Sequence, residues 1–151
     1  MKRAVFLLAC AFGSVPAFAD ADGAKLYGAN CGICHQAGAV GVPGQFPPLK
    51  GRVDKIASTP EGKAYLADVL NGGLHGMIKA GGGTYVGFMP AFKTLPEDQV
   101  AAILTYVASL GDTKPAPVFT ADEIKGARAA PKPASAVMAE RKALDAAHKL
   151  P

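Results

Sequence analysis

The chain of 151 residues lacks an apolar run long enough to cross a bilayer: the longest, Ala4 to Phe12, is nine residues, against the ~20 of a spanning helix. It has only three cysteines, too few and odd in number for a disulfide scaffold. Clustered basic residues are missing as well, because Lys and Arg are scattered from Lys25 to Lys149 with no two adjacent except Arg141-Lys142. Without Lys2 and Arg3 the balance is 14 basic against 12 acidic residues, a net charge of +2. Nucleic acid is therefore a poor partner, since phosphate binding needs grouped cations. No segment alternates apolar and polar residues for more than a few positions, and no repeat of roughly 20 to 50 residues occurs. With 50% hydrophobic and 19% charged residues, the chain suits one globular domain plus appendages, all-α, built of short helices and long loops.

Lys2 and Arg3 precede the apolar run, Pro16 breaks the segment, and Ala17-Phe18-Ala19 fits a small-residue cleavage site. Residues 1–19 thus read as an export signal and the mature protein as periplasmic. Leu7-Leu8-Ala9-Cys10 offers a rival, a lipid anchor on Cys10, although the apolar stretch ahead of that cysteine is very short.

In the mature chain, Asp20 and Asp22 can cap a helix running from Gly23 into Cys31. Glycines and prolines make 36–52 a loop. Thr59-Pro60-Glu61 opens a helix that stops at Gly72. Seven glycines then crowd residues 72–87, a stretch with too few side chains for a core of its own, against which something flat can lie. The clearest helix starts at Pro96-Glu97-Asp98, carries Val100, Ile103, Leu104, Val107 and Leu110 on one face, and ends at Gly111. Residues 20–111 form the main domain. Residues 112–151 hold eleven alanines and five prolines and form a C-terminal extension. It consists of a proline linker, a short helix behind the capping box Thr120/Glu123, and another capped by Ser135.

Cys31-Gly32-Ile33-Cys34-His35 carries the chemistry. Two thiols three residues apart can each add to a haem vinyl group, which holds the adjacent imidazole under the iron. A thioredoxin-like disulfide pair would need a βαβ context, which is missing. A structural zinc would need further ligands, and His75 and His148 sit in unrelated contexts. Gly81-Gly82-Gly83-Thr84 lacks the ending of a phosphate loop, and Glu97-Asp98 is a helix start rather than an acid/base pair.

Taken with Phe46-Pro47-Pro48-Leu49-Lys50-Gly51, Gly87-Phe88-Met89-Pro90-Ala91-Phe92 and the helix ending Tyr106-Val107-Ala108-Ser109-Leu110, the motif resembles a bacterial class I c-type cytochrome over residues 20–111. The resemblance implies short helices and loops wrapped around one covalently attached haem c. It implies His35 and Met89 as axial iron ligands, with Met89 and Phe92 in the Met-Pro-x-Phe setting of the haem pocket. It also implies Pro47 as the carbonyl acceptor for His35 Nδ1, Leu49 against the haem, and Gly28 as a close approach to Tyr106. Met77 and His75 remain competitors for the iron. Arg52 is either a donor to a haem propionate or a solvated loop arginine.

The function expected is single-electron transfer between redox proteins (a dehydrogenase or reductase, a terminal oxidase) without enzymatic turnover of its own. The alternatives are a dedicated electron-accepting subunit of a periplasmic dehydrogenase or reductase, and a haem enzyme or gas sensor with a displaceable distal ligand. For residues 112–151 the sequence leaves two readings: a docking arm, dispensable for haem ligation, that governs partner choice, or a strap that packs over the domain and stabilises it.

Overall fold

The computed structural model describes residues 18–151. Cys10 and all but the last two residues of the expected export signal lie outside them. The body is built on α1 (Phe18–Asn30), the short α2 (Gly32–His35) and α3 (Val53–Ile56), α4 (Pro60–Gly72) and α5 (Glu97–Ser109). Helix α1 begins ahead of Asp20 and Asp22, so these acids occupy its first turns instead of preceding it. Acids there still suit the positive end of the helix dipole.

Helix α5 buries Val100, Ile103, Leu104 and Val107, as their spacing dictates, and packs across α1. The close approach is made by Gly23, where a Cβ would collide with Ala102 O and Tyr106 Cβ. The expected Gly28 is exposed and has open space around it. Tyr27 packs on Tyr106 with ring centroids 5.6 Å apart at 51°. Helix α4 starts as its sequence predicts, with Thr59 Oγ1 accepting from Gly62 N at 3.0 Å.

The glycine-rich stretch departs from an all-α fold. It forms an antiparallel hairpin of β1 (Leu74–Ala80) and β2 (Gly83–Met89), pairing Leu74 with Met89 and Ile78 with Tyr85. Its two-residue turn, Gly81-Gly82, has positive φ at both positions (54° and 77°), the geometry that matches strand twist in tight hairpins. Glycine at positions 76 and 87 interrupts the apolar alternation that marks a strand. Gly73, at φ 76°, brings the start of β1 against the Met89 carbonyl so closely that a Cβ would not fit.

The extension lies on the body. Helix α6 (Ala121–Ala129) starts with the predicted capping box on Thr120 and Glu123, and it packs on α4 and α5. Helix α7 (Ala134–His148) packs on α4 and β1. Its N-cap is Pro133, not Ser135, because the proline supplies a fixed φ at the entry. Phe119, Ile124, Val137 and Leu144 enter the same hydrophobic core as the body helices. Lys132 Nζ bridges Asp68 (2.7 Å) on α4 and Glu140 (2.9 Å) on α7. Among the described residues, no helix is long and apolar enough to cross a membrane.

Candidate functional site

Helix α2 follows α1 with only Cys31 between them, because Cys31 N and His35 N keep helical hydrogen bonds to Tyr27 O (2.8 Å) and Cys31 O (2.9 Å). One turn of helix thereby sets Cys31, Cys34 and His35 on a single wall. The loop after it folds back under the histidine. Gly41 N donates to His35 O at 2.9 Å, and Gly41, at φ 71° and with the Phe46 carbonyl where a Cβ would lie, must be glycine. This return delivers Pro47, whose carbonyl lies 2.9 Å from His35 Nδ1.

A carbonyl can only accept, so Nδ1 carries the imidazole proton and Nε2 keeps the free lone pair. Burial pushes the His35 pKa below its usual value; the Pro47 bond opposes that shift and the Arg52 charge adds to it. At neutral pH the ring is therefore neutral, as a metal ligand must be.

Cys31, Cys34, His35, Pro47, Met89 and Phe92 all line one cavity of about 260 Å³. The hairpin supplies the facing residues Leu74, Ile78 and Tyr85, none of which the sequence singled out. Their signal was the two-residue spacing of Leu74, Ile78 and Ala80, broken by Gly76. Met77 is 66% exposed and does not line the cavity, whereas His75 does. Leu49 is half-buried against the core beside the cavity and does not line it. Arg52 is no solvated loop residue. It is 6% exposed, its Nη1 donates to Pro48 O at 2.8 Å and its Nε to Pro151 O at 2.6 Å, and its Nη2 is buried without a partner.

Both Cys31 and Cys34 are free thiols. Burial, then the neighbouring Cys34, push the Cys31 thiol up to about 11. A disulfide oxidoreductase needs the opposite, a lowered thiolate. The donors fit the expected haem instead: two thiols, a neutral imidazole with a free Nε2 and a thioether border one largely apolar space, and an orphaned guanidinium nitrogen lies nearby.

A family model described as cytochrome c oxidase, cbb3-type, subunit III matches residues 18–107. The chain is 44% identical over 132 residues to cytochrome c-552 of one Thermus thermophilus strain, covering 85% of this chain and 88% of the relative. It is 44% identical over 129 residues to another Thermus thermophilus cytochrome c-552, covering 83% and 98%. Since 83% of 151 residues is about 125, more than the 111 ahead of the linker, both likenesses run into the C-terminal extension.

Proposed function

Because the chain belongs to the class I c-type cytochromes, a family of electron-transfer proteins, we propose that it is a periplasmic mono-haem carrier passing single electrons between redox proteins. Residues 1–19 export it, and residues 20–111 form the haem domain. Bound haem supplies an iron that alternates between ferric and ferrous states. Cys31 and Cys34 hold the group covalently. His35 offers Nε2 to the metal, and the Pro47 carbonyl fixes the ring and makes it more basic. Met89 offers a soft sulfur, which favours the ferrous state and raises the potential. Pro47, Phe92 and the hairpin side chains keep water from the metal.

The observation that carries this reading is the presence of His35, with Nδ1 already committed to Pro47, and of Met89 in one apolar cavity. With these two protein donors available to hold the iron, the site would suit electron transfer rather than the binding of a substrate. Intact mass and absorption spectra test it. The expected result is one haem increment on a chain beginning at Asp20, a thioether-to-iron band in the ferric spectrum, and no carbon monoxide binding by the reduced protein at neutral pH. A mass without haem, or ready carbon monoxide binding, would overturn it, the latter in favour of a haem enzyme or gas sensor.

A second reading, a dedicated cytochrome subunit of an oxidase, dehydrogenase or reductase complex, draws on the description of the matching family model as an oxidase subunit. Gel filtration of the native extract separates the two: a free carrier elutes at its own mass, a subunit with its complex.

A further inference from the structure

The segment between β2 and α5, residues 90–96, has no regular secondary structure. Met89, Pro90 and Phe92 line the cavity, and from Phe92 the chain must turn to reach Pro96 at the head of α5. Pro90 and Pro96 have no N–H to anchor. The amides of this segment make two backbone hydrogen bonds, Phe92 N to Leu70 O at 2.7 Å and Leu95 N to Phe92 O at 3.2 Å. A loop with so few ties opens easily, and here it directly follows the thioether.

The remaining tie comes from the extension. Arg128, on α6, donates through Nη2 to Leu95 O at 2.5 Å and, more weakly, to Phe92 O at 3.5 Å. Its Nε donates to Asn71 Oδ1 on α4 at 3.1 Å, and its Nη1 pairs with Glu97 Oε1 on α5 at 2.8 Å. One side chain thus fastens the loop to α4, α5 and α6 together. Asn71 is buried and stands two residues before Gly73, whose missing Cβ leaves room for the Met89 carbonyl. Among the described residues no other side chain of 112–151 hydrogen-bonds to 90–96; Lys132 goes to Asp68 and Glu140, and Arg141 to Tyr65 and Lys79.

Bonds from a charged donor are about twice as strong as neutral ones, and the rigid fork of a guanidinium fixes its acceptors relative to one another. Partners behind a ligand decide how firmly it meets a metal. A thioether favours ferrous iron, so positioning matters most in the ferric state, where the bond to sulfur is weaker.

We propose that Arg128 is a positioning residue for the distal ligand: from α6 it locks the turn behind Met89, so the C-terminal extension governs how firmly the thioether is presented to ferric iron. This rests on the reading of Met89 as an axial donor. That reading fails if the unaltered ferric protein lacks the thioether-to-iron band, or if Met89→Leu keeps it, and either is seen before any Arg128 variant is compared.

The test is titration of the ferric holoprotein with imidazole. Imidazole takes the iron only where the thioether has left, so its apparent affinity follows the fraction of protein with Met89 displaced. Arg128→Gln should raise that affinity roughly tenfold or more, the scale on which loss of an outer partner weakens a metal–ligand bond, and should lose the thioether-to-iron band on heating before the helices melt. Arg128→Lys keeps the charge, but one ammonium cannot hold Asn71, Glu97 and Leu95 at once, so the affinity should rise there too, by less. Lys132→Gln cuts the α4–α7 bridge and leaves the loop untouched; it should lower the melting temperature without changing imidazole affinity. A lowered melting temperature with unchanged imidazole affinity in Arg128→Gln would reduce Arg128 to a brace for α6, and an equal rise in Lys132→Gln would make the effect a general loosening; either overturns the proposal. Should Arg128→Gln fail to fold, an unchanged affinity in Arg128→Lys would overturn it equally.

Discussion

Thr113 closes the linker onto Asp54. Its Oγ1 donates to Asp54 Oδ2 at 2.7 Å and its backbone N at 3.1 Å, and Asp112 N adds a third bond at 3.1 Å. Asp54 is wholly buried, and its carboxyl fills the space a Cβ on Gly111 would need. The seam between body and extension is thus a buried carboxylate whose Oδ2 takes three donors while its Oδ1 has no partner, and Gly111 follows α5 there because a larger residue would collide with that carboxyl.

Acid should loosen this seam. Burial raises the Asp54 pKa, but the Thr113 bonds and the Lys55 amide outweigh it and hold the carboxyl below its usual value. A carboxylate depressed in the folded state contributes stability that is present above the unfolded pKa of ~3.9 and lost as pH falls through the folded value. Asp54→Ala should cost roughly 3 kcal/mol at neutral pH and flatten that acid limb. Denaturant titrations from neutral to acid pH check both; an unaltered acid limb would refute the assignment.

The α1–α5 crossing predicts opposite outcomes at two glycines on one helix. Gly23→Ala forces a methyl into Ala102 O and Tyr106 and should destabilise by roughly 1–3 kcal/mol. Gly28→Ala meets nothing and should be neutral or stabilise by up to about 1 kcal/mol through helix propensity. Thermal melts decide, and equal effects would contradict the crossing.

Replacing the soft donor should move the potential. Met89→His should retain the haem but lower the reduction potential by a sizeable part of the ~0.8 V range that axial ligands span, while Met77→Leu should change little. Loss of the thioether-to-iron band in Met77→Leu, with its retention in Met89→Leu, would reverse the assignment.

The extension should behave as a strap. Ile124 is wholly buried, and Ile124→Ala should cost roughly 2–5 kcal/mol. A chain ending at Asp112 uncovers the core where Phe119, Ile124, Val137 and Leu144 sat, and its melting temperature should fall steeply. An unchanged melting temperature with slower electron exchange with a partner would instead mark the extension as a docking arm.

Much of this was legible locally. The Cys31-to-His35 spacing states its chemistry because two thiols and an imidazole within one helical turn depend on no distant residue. Thr59, the Thr120/Glu123 box and the face of α5 could be read for the same reason, since caps and periodicity are short-range. Arg141 stands four residues after Val137 and three before Leu144, on the buried face of α7, and is itself buried. An arginine in that place is ordinarily read as solvated, because burial of a cation depends on what surrounds it and no local pattern reports that.

The sequence by itself determined the thiol and imidazole donors, the helices and most of their caps, because these follow from neighbours within a turn or two. The tertiary structure alone decided that residues 74–89 pair as a hairpin, that Gly23 and not Gly28 meets Tyr106, that Met89 and not Met77 faces the cavity, and that Arg141 meets Tyr65 and Lys79. Each of these is a contact between segments far apart in sequence. Such contacts are chosen by what the whole chain can bury at once, and strand pairing and glycine-sized gaps carry almost no local signal of their own.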